Sequence, residues 1–462
     1  MERDVEEQIE DHVEAAAEAQ VEDAVDEDVE QVVEPEFGEE VDDRDGESES
    51  EGVSSTDQQD QTEHDDDDDG DAIKKVSAAE REWRDTERAS TNRDVGVVGD
   101  SIELRGIARD VDGFEVARDE WLIAATNKEL ALLAENGFRL RAVEEIGLLG
   151  ESLARIEAPG GADDEKTEQR IRAIAPDAII DRNHLYSPQA ARSGSGEGAV
   201  RPRDVFALPS AADRLTKPIG LIDTAVAKGV PALRRARVSR MDFVTSNNQR
   251  PNEHGTAIAS ILVGRDGSYV GLLPSGALYA ASVFEDLPGR PGTATTASLV
   301  RALDWMAKQG VGVVSMSLTG PHNRILQQAI IRTRARGVTV IAAIGNAGPH
   351  ARPLYPAGYR DVISVTALTP DRQVYRMANR GAYLDFAAPG VGILHAGPRG
   401  GYVTSSGTSM AVPFVAAALL LSTDRNGRSN AGIEERLKRF AIDLGPAGFD
   451  EIYGNGLIQP LP

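Results

Sequence analysis

Cysteine is absent from all 462 residues. Disulfides, thiolate metal sites and cysteine nucleophiles are therefore excluded. Long apolar runs are absent too. The longest, such as "AAALLLS" at 416–422, are too short to cross a bilayer as a helix. The opening "MERDVEEQIE" has neither a basic n-region nor an apolar h-region, so no signal peptide is expected. That fits a cytoplasmic protein, or a sequence without its true start. Positive charge is lacking overall, with a formal net charge of -27. The excess is local: residues 1–72 hold 33 acidic residues against two arginines, and the remaining 390 hold 43 acidic against 47 basic. A near-neutral body with an acidic tail argues against nucleic-acid binding, which needs a basic surface. The length allows two or three domains and a substantial core.

In residues 1–33, Val5, Ile9, Val13, Val21, Val25, Val29 and Val33 recur at multiples of four among Glu and Asp. This is a weak amphipathic pattern, readable as a docking helix or as a solvated tail; repulsion between like charges favours the tail. Residues 34–72 have the composition of disorder. Within them, "DDDDDGDA" imitates the start of a calcium loop at Asp65, Asp67, Asp69 and Gly70. Val76 stands where such a loop needs a bidentate Glu, which argues against calcium there. A linker over 73–112 holds a short helix in "SAAEREWRDTERA". Residues 113–187 read as strand, helix, strand, strand, helix, strand, a small α+β domain. His184, near its end, is expected on the surface. The Ser-, Gly- and Pro-rich stretch 188–204 reads as a flexible linker.

From 205 to 462 the pattern changes. Short apolar strands such as "IGLIDT", "VGVVSMSL", "VTVIAAIGN" and "VISVTAL" alternate with helical stretches such as "TASLVRALDWMAKQG" and "RILQQAIIRTRARG". This predicts a doubly wound, mostly parallel α/β sheet buried on both faces. Ligands on such sheets bind beyond the carboxyl ends of the strands, where Asp223, Ser317 and Asn346 fall. "NEHGTAIAS" puts His254 at the start of a helix, and "SSGTSMAVPFVAAALLLS" puts Ser409 at the start of another. A serine there can merely open a helix, or it can act as a nucleophile activated by a nearby base. Asp223, His254 and Ser409 in that order supply an orienting carboxylate, a base and a nucleophile, and Asn346 among small residues can aim its amide into the cleft. The G-x-S-x-G elbow of α/β-hydrolases is absent.

Together "IGLIDTA", "NEHGTAIAS", "VVSMSLTG", "AAIGNAGP", "LYPAGYRDVISVTAL", "DFAAPG", "SGTSMAVPFVA" and "YGNGLIQP" resemble, in family order over some 250 residues, the subtilisin-like serine peptidases, or subtilases. The resemblance implies a subtilisin-like fold and a serine endopeptidase with Asp223, His254 and Ser409 as catalytic residues. It implies an oxyanion hole of Asn346 and the Ser409 backbone N–H. Substrate would be bound along Ser317, Leu318, Thr319, Gly320, Ala343, Ile344 and Gly345, and the partners would be proteins or peptides. Residues 113–187 are similar to the family's propeptide, which implies an intramolecular inhibitor removed by self-cleavage within 186–204. Tyr186 would be the natural residue before the cut if cleavage fell at the end of that domain. Thr319 and Ile344 stand where smaller residues are frequent, which implies a narrowed primary pocket preferring Ala or Leu to Phe or Tyr.

Departures are Ala225 after Asp-Thr, Ala257 in place of a second His, and Phe414 in place of His; none removes chemistry. No cofactor or metal is implied by the mechanism. The family's calcium loop looks shortened in "ILVGRDGSYVGLLPSG". Secretion or a periplasmic location would follow from the family, against the missing signal peptide. Nothing in the sequence sets an oligomeric state. A second class of function stays open: a regulatory or binding protein that retains its propeptide-like domain and recruits a partner through the acidic tail.

Overall fold

The computed structural model describes residues 106–460 apart from 159–162, 189–191, 195–198, 207, 209–214, 216 and 424–429. The acidic tail, with its docking-helix and calcium-loop expectations, and the short helix at 77–89 lie outside the described residues.

The first part is built from β1 (Ile107–Arg109), β2 (Glu115–Ala125), α1 (Asn127–Glu135), β3 (Arg139–Ile146), β4 (Glu151–Glu157), α2 (Asp164–Ile174) and β5 (Ile179–Pro188). Thr126 caps α1 through a capping box with Glu129, which meets two of the helix's orphan N–H donors. Past the helix end, Gly137 takes the left-handed conformation with φ 88°, open to glycine at little steric cost. Asp163 caps α2. Both helices lie on one face of an antiparallel sheet, burying Ile123, Leu130, Leu133, Phe138, Ile156, Ile171 and Ile180.

Next come β6 (Arg192–Gly194) and the short α3 (Pro202–Val205). The stretch read as a flexible linker is thus anchored where it is described. Val200 bridges to Ile393. The Arg203 guanidinium donates to the Gly271 and Leu272 carbonyls at 2.8 and 3.1 Å. Phe206 meets Phe414 edge-on with ring centroids 5.4 Å apart, so the family's His position holds a core aromatic here.

The second part runs β7 (Ile219–Asp223), β8 (Arg237–Asp242), α4 (Glu253–Val263), the small hairpin β9 (Arg265–Asp266) and β10 (Tyr269–Val270), β11 (Ala277–Ser282), β12 (Glu285–Leu287), β13 (Arg290–Thr295) and α5 (Thr296–Lys308). It continues with β14 (Val313–Met316), β15 (Leu318–Thr319), α6 (Arg324–Ala335), β16 (Thr339–Ala343), β17 (Val362–Leu368), β18 (Phe386–Pro389), β19 (Ile393–Ala396), β20 (Tyr402–Ser406), α7 (Thr408–Thr423) and α8 (Asn430–Phe440). Seven strands form one sheet in the order β18-β17-β16-β14-β7-β11-β8, and every pairing in it is parallel. Alternate residues of each strand serve opposite faces. Leu221, Val313, Ile341 and Val365 pack with α4 and α7, while Ile222, Val314, Met316, Val340 and Ala342 pack with α5 and α6. This is the doubly wound α/β sheet expected from the apolar strand runs.

β5 belongs to both parts. Its first half pairs with β2, and its second half lies between β13 and β15 of the second part. The antiparallel sheet therefore runs β12-β13-β5-β2-β4-β3. Around it the first part seats on α5 and α6. Asn183 Oδ1 accepts from Ala297 N, and Asp181 Oδ2 accepts from Arg324 N at 2.8 Å, meeting donors in the first turns of those helices. Leu148 N donates to Asp304 Oδ1 at 2.7 Å, and Arg336 reaches the Gly147 and Leu148 carbonyls.

His184 is not at the surface. It is 5% exposed, with Nε2 on Asp110 Oδ2 and Nδ1 on Asn323 Nδ2, both at 2.9 Å. Asn323 Oδ1 is committed to Ile325 N and Leu326 N as the cap of α6. Its NH2 therefore faces His184 as donor, Nδ1 accepts, and the ring proton sits on Nε2.

Candidate active site

Asp223 ends β7 and Asn346 follows β16 at the carboxyl edge of the parallel sheet, while His254 and Ser409 stand in the first turns of α4 and α7. β7 ends on Asp223, which is 1% exposed. A carboxylate so buried needs donors. It has Thr224 N at 2.6 Å and His254 Nδ1 at 2.8 Å from Oδ1 and 3.0 Å from Oδ2. His254 lies in the first turn of α4, against β7. The next residue makes that approach workable. A Cβ on Gly255 would stand 2.1 Å from the Thr224 carbonyl oxygen, and Gly255 N donates to Thr224 Oγ1 at 2.7 Å. With its Nδ1 proton directed to Asp223, His254 presents a lone pair on Nε2. That atom is buried and has no hydrogen-bond partner among the described residues.

Ser409 is the second residue of α7 and fully buried. α7 carries Pro413 inside it. Proline has no N–H, so the Ser409 carbonyl loses its i+4 donor. Ser317 Oγ donates to that carbonyl instead, at 3.4 Å. Asn346 follows Gly345, whose φ is 116°. Its Oδ1 accepts from Thr408 N at 3.0 Å and Thr408 Oγ1 at 3.1 Å. Holding the oxygen on Thr408 fixes the amide plane and turns the NH2 to the opposite side.

The other residues expected to bind substrate take several positions. Leu318 and Thr319 form β15 and pair with Pro188 and Ser187 of β5. Gly320 lies under the ring of Tyr186, which is itself fully buried. Ser317 is 1% exposed, with its hydroxyl on the Ser409 carbonyl, so it supports the first turn of α7. Ala343 packs in the core with α7. Ile344 is buried, and its N–H donates to the Val365 carbonyl at 3.0 Å, which ties the strand end to β17. A Cβ on Gly345 would meet Leu354 and Asn379 at 3.0 and 3.1 Å.

Two contributors, Thr408 and His395, escaped the sequence reading. Thr408 orients Asn346, and only its place beside Ser409 hinted at it. Tyr186, expected near the end of its domain, is followed in the same strand by Ser187 and Pro188. His395 on β19 is 4% exposed. Its Nδ1 donates to Ala396 O at 3.1 Å and its Nε2 meets Ser405 Oγ at 2.8 Å. Burial holds its imidazole below the ordinary value, with a smaller contribution from the nearby His254. Among the described residues, no group of three or more His, Asp or Glu is gathered as a metal site requires.

The Asp223–His254 pair lies at the carboxyl end of β7, and Ser409 stands in the first turn of α7, which packs on the same sheet. The pattern that defines the subtilase family matches residues 218–456. The chain belongs to that family, the subtilisin-like serine peptidases. It is 34% identical over 250 residues to subtilisin DY of Bacillus licheniformis, covering 52% of this chain and 88% of that protein. It is 33% identical over 219 residues to the minor extracellular protease Epr of Bacillus subtilis (strain 168), covering 46% of this chain and 33% of Epr. The chain thus spans about a third of the length of Epr. Fervidolysin from Fervidobacterium pennivorans, described as a keratinolytic enzyme related to subtilisin, shares the fold with a TM-score of 0.65 at 17% identity, over 80% of this chain and 64% of that one. The epidermin leader peptide processing protease of Staphylococcus aureus shares it with a TM-score of 0.57 at 17% identity, over 74% of this chain and 97% of that one.

Proposed function

We propose that the protein is a serine endopeptidase that cuts protein segments through Asp223, His254 and Ser409, and that it matures by cutting itself. The observation that carries this reading is the Asp223–His254 pair, at 2.8 Å, with the outer imidazole nitrogen buried and unpartnered among the described residues. His254 Nε2 takes the Ser409 proton as Oγ attacks the peptide carbonyl, and returns it to the leaving amine. Asp223 keeps the proton on Nδ1 and stabilises the imidazolium. The Asn346 amide and the Ser409 N–H receive the oxyanion. Water then attacks the acyl-enzyme by the same proton path in reverse, restoring Ser409. These steps call for no cofactor or metal.

Self-processing is supported by the two flanks of residues 189–191. Pro188 is paired with Leu318, one residue beyond Ser317. Arg192 is paired with Ser406, three residues before Ser409. The cut is therefore expected between Pro188 and Arg192, in the sequence Gln189-Ala190-Ala191. Small residues there agree with a narrowed primary pocket. The alternative, a regulatory protein that keeps its first domain bound, draws on the same occupied cleft: β5 fills the strand position between β13 and β15.

Casein hydrolysis and N-terminal sequencing separate the two. The wild type should hydrolyse casein and yield a mature chain beginning within 189–192, whereas Ser409→Ala and His254→Ala should stay full length and inactive. Full activity in either variant would sink the mechanism. An inactive wild type that stays uncut would favour the regulatory reading.

A further inference from the structure

β12 and β13 form a hairpin beside β5. Its turn is Pro288-Gly289, with Gly289 in the left-handed conformation at φ 73°, a composition suited to a tight turn. The root is pinned. Asp286 N donates to Gln249 O, and Asp286 Oδ1 accepts from Gly292 N, both at 2.8 Å. Arg290 opens β13, opposite Leu287. Its side chain is 21% exposed and ion-paired through Nη1 with Glu115 of β2. Its Nη2 donates to Ser187 Oγ of β5 at 3.4 Å. Glu115 and Ser187 both belong to the part that self-cleavage would remove. The mature part would keep the guanidinium and lose its counter-charge.

We propose that Arg290 is a specificity residue that reads a carboxylate at the position Ser187 holds in β5, so that favoured protein segments carry Asp or Glu there. The proposal rests on the peptidase reading above and adds the charge of the segment it selects. A segment that takes the strand place of β5 brings its side chain at that position to the guanidinium, since Ser187 already reaches it with one atom beyond Cβ. Asp and Glu put two oxygens there. Guanidinium–carboxylate pairs are stronger than neutral hydrogen bonds and suit two parallel contacts. They also restore the charge balance that Glu115 supplies in the uncut chain. A Lys at that position meets like charge, and repulsion discriminates as attraction does. The pair is partly open to solvent, so it sets a preference rather than an absolute rule.

Peptides spanning residues 184–194, "HLYSPQAARSG", are prepared with Glu, Gln or Lys at the Ser187 position and assayed with the wild-type protein. Gln matches Glu in size, so the Glu-to-Gln ratio of kcat/KM reads charge alone. It should favour Glu by about three- to tenfold, with Lys below Gln by a similar factor. Raising salt from about 0.05 to about 0.5 M should shrink the ratio. Arg290→Gln should bring it to one, and Arg290→Glu should invert it. A ratio of one in the wild type, or a ratio that survives Arg290→Gln, would overturn the proposal. Failure on every peptide, or cutting by Ser409→Ala, counts against the peptidase reading instead. The charge pair is then read without turnover, by hydrogen exchange in the uncut Ser409→Ala chain. There Glu115→Gln should speed amide exchange in β13 about threefold, and adding Ser187→Glu should restore protection. Exchange unmoved by Glu115→Gln, or not rescued by Ser187→Glu, would overturn the proposal.

Discussion

Asn346 commits its carbonyl oxygen to Thr408 through two hydrogen bonds of 3.0 and 3.1 Å. Its NH2 is thereby held in one direction, so that in the proposed mechanism no reorganisation is needed when negative charge develops on a substrate oxygen. Asn346→Ala should lower kcat about 100- to 1000-fold, a range that comes from subtilisin itself, with little change in KM. An effect confined to KM would contradict the oxyanion role. His395 gives a prediction of a different kind. Burial lowers its pKa from the ordinary 6.5, so the unfolded chain binds its proton at higher pH than the folded one. The stability this neutral imidazole contributes is present above the ordinary value and is lost as pH falls from there through the lowered pKa. Urea melts across pH 7.5 to 4.5 should show that acid slope. His395→Gln should flatten it by up to about 1.4 kcal/mol per pH unit; an unchanged slope would rule His395 out as its source.

Elements set how close these groups can come. β7 and α4 meet at Gly255, where any side chain runs into the Thr224 carbonyl. Gly255→Ala must push α4 from β7 and carry His254 with it. We expect a loss of about 1–3 kcal/mol in urea melts, as for other overpacked cores, with a larger fall in kcat than in folded fraction. Full activity would contradict the close approach. The strands and helices bearing Asp223, His254, Asn346 and Ser409 were legible because each combines an apolar run with a polar residue at its end. What lay hidden is tertiary. Pro413 announces a missing donor in α7, but nothing near it in sequence says that Ser317 supplies one. His184 sits in a strand like any surface residue, and its ring is met from both sides by groups remote in sequence, Asp110 and the α6 cap Asn323. The 188–204 stretch has the composition of a flexible linker. Its described parts are held by partners far along the chain: β20, Ile393 and Gly271.

At the scale of the molecule, one strand joins the two parts. β5 completes a sheet with β2 on one side and enters the cleft between β13 and β15 with its other half. The loop before β4 secures the dock, since Leu148 N depends on Asp304 for its acceptor. Asp304→Ala leaves that buried N–H unmet, at a cost of about 1–3 kcal/mol. It should loosen the first part and raise the initial rate of casein hydrolysis by freshly purified protein several-fold; an unchanged rate would show that docking there does not limit access.

The central claim is that Ser409 is a nucleophile activated by His254. A phosphonofluoridate reagent tests it most directly, because it traps an activated serine covalently and the site is read by peptide mass mapping. The account predicts one adduct, on Ser409, in the cleaved wild-type protein and none in folded His254→Ala. An adduct on another residue, none in the active wild type, or equal labelling without His254 would contradict it.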